Sequence, residues 1–406
     1  MTHSRIMLAA LMIVITCLPA AGATLTKTTF DENEIEFGHL AVDHTGELLV
    51  SGYSVRVGGR IIGRRRSMVS VINLTSMQIT ASEHVPYRNC TGEGFSSENE
   101  LVICATNVKH DESSPDESDH LLFYNPRDLS LITALHVPGR PEAWLQHPGG
   151  KIYLLTNDQG DEATITTIDA KTHLIEDVFS FDSFDSSPFD DFYCAGNTLV
   201  FGQKYNDGFV YGFDIDNGSM VGRVDLSDYL TWSFKAKSAT EVVVSGGYIH
   251  NDRGHGRILE LDIRAGKIVK SHRTLDNTPG DWYFCDANDS LIFGLTHDYD
   301  ATVNRFDLKE GRIDKSLEVL PSYRGSDSLH YRAGDTVAMW IPRGDEHSVE
   351  AHSMQLIDLE SFTVLEELEI NKEYLNWFND LVYVPYDTKC YFAPVKPDNI
   401  LYALDY

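Results

Sequence analysis

Apolar and polar residues alternate along almost the whole of this chain with a period of two, the spacing of half-buried strands rather than of helices. One phrase carries the pattern. It first reads SMVSVINLTSMQI at residues 67–79 and then returns as HLLFYNPRDLSLI, TITTIDAKTHLI, FVYGFDIDNGSMV, RILELDIRAGKIV, TVNRFDLKEGRI, SMQLIDLESFTV and NILYALDY. Each copy predicts a strand, a two-to-three-residue turn opened by Asp or Asn, and a second strand. The turn-opening residues are Asn73, Asn125, Asp169, Asp214, Asp262, Asp307, Asp358 and Asp405, spaced 44 to 52 apart. Between the phrases lies a second hairpin, as in HLAVDHTGELLVSGY, AWLQHPGGKIYLLTN and DWYFCDANDSLIFGL. Four strands per repeat, at this period and without helices, predict an all-β, eight-bladed β-propeller of four-stranded antiparallel blades.

The eighth phrase stops at Tyr406 with only its first strand, while Thr24–Phe30 precedes the first hairpin and alternates as a strand does. That segment is expected to dock as the outer strand of the last blade and so close the ring. Seven blades are the alternative reading, if the first or last repeat is degenerate. Residues 24–406 then form one domain.

The predicted connections are unequal. Turns within the hairpins are short, whereas the links between the second and third strands include 54–66, 107–119, 248–256 and 341–352. In an up-and-down ring these links leave by the same end as the links between blades. Long irregular connections on a rigid scaffold are where binding residues concentrate.

Composition narrows the setting. The 406 residues carry 61 Asp plus Glu against 33 Lys plus Arg, a net charge of −28. Such a surface repels phosphate backbones, so nucleic acid is not an expected partner. The exception is the basic run Arg64–Arg66 in the first long link. At the N-terminus, His3 and Arg5 precede an apolar run from Ile6 to Leu18, then Ala21-Gly22-Ala23. That order predicts a secretory signal peptide, residues 1–23, cleaved after Ala23, and a secreted or periplasmic protein. A lipoprotein signal at Cys17 is the rival reading. No later stretch is long and apolar enough to be a transmembrane segment. In an oxidising compartment, Cys90 and Cys104, on neighbouring predicted strands, are expected to form a cross-strand disulfide. Cys194, Cys285 and Cys390 read as buried small hydrophobes.

The candidate site is the end of the ring where the long links gather. Near the start of the innermost strands lie Trp144, Trp232, Trp282 and Trp377, beside Arg88, Arg140, Arg324, Asp191, Asp281 and Asp380. Aromatic faces with Arg and Asp pairs suit a carbohydrate-like ligand or a protein partner. The same residues also suit packing between blades. Histidines 110, 120, 250, 255, 297, 347 and 352 fall in or beside the long links. Their spacings match no metal motif, so no metal site is assigned to them. No cofactor is expected either, although the acidic loops would suit calcium.

TTIDAKTHLIEDVF, GFDIDNGSMVGRV and ELDIRAGKIVKS resemble the repeat of YVTN-type and quinoprotein-dehydrogenase-like β-propellers. The resemblance spans nearly all of residues 24–406. It implies an eight-bladed ring, in a group that includes both quinone-dependent alcohol dehydrogenases and an outer-membrane assembly scaffold. Where the quinone enzymes carry a docking tryptophan, this chain has residues such as Val178, Val224 and Ile268. The expectation is therefore a monomeric, non-catalytic binding scaffold. An enzyme at the channel mouth, a polysaccharide lyase or an oxidoreductase, is the alternative. His330, Arg332 and Arg324 would serve a lyase as base and charge-neutralising groups.

Overall fold

A computed structural model of the chain describes residues 24–30, 39–52, 68–84, 89–106, 119–157, 162–182, 189–203, 208–248, 256–274, 282–285, 290–297, 300–319, 330–333, 336–345, 348–370, 381–386, 389–394 and 400–405. These residues are strands and turns, with no helix among them. They form eight four-stranded antiparallel sheets. In seven, four consecutive strands pair in chain order, as Arg140–His147, Lys151–Asn157, Glu162–Asp169 and Ile175–Asp182 do in the third sheet. The eighth combines Leu381–Tyr386, Lys389–Pro394 and Ile400–Asp405 with the N-terminal strand Thr24–Thr29. That strand runs antiparallel to Ile400–Asp405, from Thr24 opposite Asp405 to Thr29 opposite Ile400.

The sequence pattern explains which strand lies where. Middle strands are apolar on both faces, because each is sandwiched between two neighbouring sheets. In the third sheet Ile152 to Asn157 are all buried. Outer strands face solvent, so Ile175–Asp182 is largely exposed. First strands of successive sheets touch one another through the first five sheets, which makes them the inner strands; the first strands of the first and eighth sheets also touch.

The core is a series of layers between sheets rather than one central mass. Val50, Val71, Leu101 and Ile103 join the first sheet to the second. Phe123, Leu121, Ile152 and Leu154 join the second to the third. Leu155, Ile165, Phe201 and Tyr211 join the third to the fourth, and Val210, Phe234 and Leu259 the fourth to the fifth. Leu49 and Ile72 of the first sheet pack with Tyr391, Ala393 and Leu401 of the eighth. Each such side chain, fully buried, contributes about 1.5–3 kcal/mol.

The repeated phrase has a hydrogen-bonding cause. Asp169 Oδ1 accepts the N–H groups of Lys171 and Thr172 and the Thr172 hydroxyl. Asn73, Asp214 and Asp358 open their turns in the same way. The turns are longer than the two to three residues expected. Residue five adopts a left-handed backbone, as at His173, Gly218, Gly266, Gly311 and Phe362. At Met77, Leu129, His173, Gly311 and Phe362 its N–H returns to the carbonyl of the opening residue, as from His173 to Asp169 at 2.9 Å, whereas the Gly266 N–H goes to the Ile263 carbonyl. The paired strands then slip by one residue, a β-bulge that recurs in all seven of these hairpins.

Two further expectations are corrected. The link at 341–352 is not a loose loop. Thr336–Asp345 and Ser348–Asp358 pair along its length, with Pro342 opposite His352 and Asp345 opposite Ser348. The wide spacing there reflects a longer hairpin. The Cys90–Cys104 disulfide is not formed, and Cys104 is a buried thiol. The register sets Cys90 opposite Ala105 and Cys104 opposite Thr91. The two positions are one residue out of step, and period-two alternation assigns them to opposite faces of the sheet.

Candidate functional site

At one end of the sheets, the inner strands begin and the links from the preceding sheets arrive. The inner strands of the second, third, fourth and fifth sheets each break register close to that end. The breaks fall between Thr91 and Gly94, Pro141 and Ala143, Asp190 and Phe192, and Thr231 and Ser233. The residues left unpaired are Gly92 and Glu93, then Glu142, Asp191 and Trp232. A bulge bends its strand and re-aims a side chain, and bulges gather beside binding sites. Two of the sequence candidates, Asp191 and Trp232, are thus the extra residues of their strands. Glu93 and Glu142 are the positions that sequence reading missed. The visible clue is that each lies five residues after the arginine of a Val-Pro-x-Arg run, or two after it, at Arg88 and Arg140 respectively.

Arg140 and Trp144 are the candidates whose surroundings are described. Arg140 follows Gly139, whose φ is +75°, and opens the inner strand of the third sheet. Its Nε lies 3.6 Å from Glu142 Oε1 across the bulge. That nitrogen is enclosed and donates no hydrogen bond among the described residues. Trp144 belongs to the layer between the second and third sheets, with Val102, Leu121 and Phe123. A Cβ at Gly94 would stand 2.7 Å from its ring. Trp144 therefore packs on the neighbouring sheet, where only a glycine leaves room for the indole.

The other candidates are placed by register alone or fall outside the described residues. Trp282 opens the inner strand of the sixth sheet, opposite Phe293. His330 and Arg332 lie two apart on the inner strand of the seventh, opposite Met339 and Val337. Arg88, Asp281, Arg324, Trp377 and Asp380 lie outside the described residues, as do residues 1–23, Arg64–Arg66 and His110, His250, His255 and His347. His120 opens a strand and His297 ends one, each beside a link between second and third strands, and His352 lies within a strand. Among the described residues, no three His, Cys, Asp or Glu side chains are grouped as a metal site requires. No helix among them is long and apolar enough to cross a membrane.

The opposite end, where the hairpin turns lie, is stitched from sheet to sheet. Asn99 donates to Asp43 at 3.5 Å, and Gln146 exchanges hydrogen bonds with the main chain and hydroxyl of Ser97. His173 Nε2 meets Glu100 Oε2 at 2.7 Å. Glu260 joins Lys270 and His272 within the fifth sheet. Burial opposes ionisation of Glu260, but the hydrogen bonds from His272 and Lys270 outweigh it and hold its carboxyl below the ordinary range.

No protein-family model and no curated protein matches the chain. Solved structures do. The Dos1 propeller is 12% identical, with a TM-score of 0.65 over 93% of this chain and 94% of that one. BamB from Moraxella catarrhalis is 13% identical, with a TM-score of 0.54 over 94% and 98%. Sqt1 from Chaetomium thermophilum, bound to the N-terminus of ribosomal protein L10, is 12% identical, with a TM-score of 0.59 over 92% and 97%. At these identities the likeness is one of fold: this all-β chain is a β-propeller, similar in architecture to WD40 and quinoprotein-like propellers.

Proposed function

We propose that this protein is a secreted or periplasmic, eight-bladed propeller that binds a protein partner or a carbohydrate-like ligand on its loop-bearing end. The observation that carries the reading is the run of bulges at that end, in four successive inner strands. They bring Glu142, Asp191 and Trp232 to matching positions, beside Arg140. A guanidinium beside a carboxylate, as Arg140 stands beside Glu142, suits a partner rich in hydrogen-bond donors and acceptors. Propellers of similar fold include one solved with a peptide segment of another protein bound.

Two observations support the closed ring. Eight four-stranded sheets occur among the described residues, and the N-terminal strand pairs with the last strand of the chain. The first and eighth sheets share a core layer. Export is supported by the leader-like order of residues 1–23, an apolar run followed by Ala21-Gly22-Ala23. The ring acts as a monomer, and its role is to hold rather than to react.

The test replaces residues 107–118 by a Gly-Ser segment of equal length. Wild-type and altered proteins are screened on a glycan array and by chemical cross-linking in the intact cell envelope. The expected result is a ligand or partner captured by the wild type and lost from the altered protein at an unchanged melting temperature. Equal capture by both proteins would remove the loop-bearing end as the binding surface. N-terminal sequencing of the exported protein is expected to begin at Thr24; an uncleaved chain would refute the export reading.

A further inference from the structure

The outer strand of the third sheet, Ile175–Asp182, is the last in its sheet and, among the described residues, pairs on one side only. Its other side presents main-chain N–H and C=O groups to any extended chain that lies along it. The register slips at Glu176, the residue left over between Ile175 and Asp177, and then runs without interruption from Asp177 to Asp182. Glu176 turns instead to Lys151, 2.6 Å away. The regular stretch, 177–182, ends at the loop-bearing end, and Val178 within it is 44% exposed.

Sheet edges are commonly guarded by lysine or proline. The outer strands of the next three sheets carry cations: Arg223 in the fourth, Lys267, Lys270 and Arg273 in the fifth, Arg312 and Lys315 in the sixth. Ile175–Asp182 has no lysine, arginine or proline. Its charge is acidic, and at the loop-bearing end Asp182 stands directly opposite Glu162. In no other described pairing of a third strand with its outer strand do two acids face each other. Like charges in that position destabilise a sheet. Both residues are exposed, and among the described residues neither has a cation for a partner.

We propose that residues 177–182 take up an extended, lysine- or arginine-bearing segment of a partner protein as a fifth strand. Main-chain hydrogen bonds along the edge supply affinity, and a cation set beside Glu162 and Asp182 supplies the preference for a basic segment. Phe179 and Phe181 belong to the layer against the fourth sheet and anchor the edge, while Val178 and Ser180 stay exposed to incoming side chains. The surface is the rim of one sheet, and its use does not depend on what binds among the loops.

The probes are a peptide of three Lys-Val repeats, its Glu-Val counterpart, and the Lys-Val peptide N-methylated at every residue. Each is titrated into the full-length exported protein, with binding followed by fluorescence anisotropy and by hydrogen exchange along Ile175–Asp182. The Lys-Val peptide is expected to bind saturably and to slow exchange within 177–182, with the other two peptides at least about tenfold weaker. Glu162→Gln combined with Asp182→Asn is expected to weaken the Lys-Val peptide about tenfold. Its melting temperature should be no lower than that of the wild type, because a like-charge pair is removed. The proposal is overturned if the Lys-Val peptide leaves exchange in this strand unchanged, or if the double variant binds it as the wild type does. Equal binding of the N-methylated peptide would assign the effect to charge alone and overturns it too. So does self-association of the protein that the Lys-Val peptide competes away, which would assign the edge to a second copy.

Discussion

The two ends of the sheets are built on different rules. At the turn-bearing end, seven hairpins share one device: an Asp or Asn opens the turn, and its fifth residue is left-handed. Side chains there also bridge sheets, as Gln146 does to Ser97 and His173 to Glu100. At the loop-bearing end the connections differ from repeat to repeat, and what recurs is the interruption of pairing by bulges. The contrast separates two demands on one chain. Repeated local hydrogen bonds specify the fold from one end, so the other is released to vary without costing the scaffold its register.

Experiments can break that division, beginning with the largest expected effect. Removing Thr24–Thr29 leaves the Ile400–Asp405 edge unpaired, and the melting temperature is expected to fall by roughly 10 °C. No change would show that the N-terminal strand adds nothing to the scaffold. Next is Gly222→Ala. Gly222 lies in the outer strand of the fourth sheet, and a Cβ there would overlap the Ile263 carbonyl in the turn of the fifth. The expected cost by denaturant unfolding is about 2–3 kcal/mol. A neutral result would mean that the turns do not dock sheet to sheet.

Smaller effects sharpen the role of the turns. Asn73→Ala removes the acceptor for two N–H groups and the Ser76 hydroxyl, and is expected to cost about 1 kcal/mol. The carboxyl turns add a pH signature. The Thr172 hydroxyl and N–H hold Asp169 below the ordinary carboxyl value of 3.8. The Asn217 N–H and side-chain amide do so for Asp214, and the Ser361 hydroxyl and N–H for Asp358. A carboxyl whose folded pKa is lowered stabilises the fold above the unfolded value and loses that contribution as pH falls through the folded one. Hydrogen exchange at the turn amides is therefore expected to accelerate, relative to the intrinsic rate, below about pH 4 in the three Asp turns. The Asn73 turn, which holds no carboxylate, should keep its protection. Equal loss in both kinds would assign the acid effect to global unfolding.

Most of the scaffold was legible in the residues themselves. Period-two alternation located the hairpins, and the spacing of the turn-opening residues indicated the repeat. The same pattern in Thr24–Phe30 suggested a strand that pairs with the end of the chain. Register was less legible. A left-handed fifth residue at Met77 or Leu129 carries no glycine to announce it, so the turns read as shorter than they are. The bulges that single out Glu142 and Asp191 alter pairing without altering composition. The Cys90–Cys104 expectation failed by a single step of register, which sequence spacing does not resolve. Likewise 341–352 read as a loop because its charges mask a pairing set by the backbone. Lys235 drew no notice because its contact with the Tyr193 ring crosses from one sheet to another.

The most direct test of the division between the ends is site-specific photo-cross-linking in the native envelope. A photoreactive amino acid is introduced at Ser113 or Asp116 on the loop-bearing side and, in separate proteins, at Lys171 or Asp216 in the exposed turns. All four proteins are expected to melt alike, with partner adducts forming from Ser113 and Asp116 and not from the turn positions. Adducts from Lys171 and Asp216 in place of the loop positions would contradict the account.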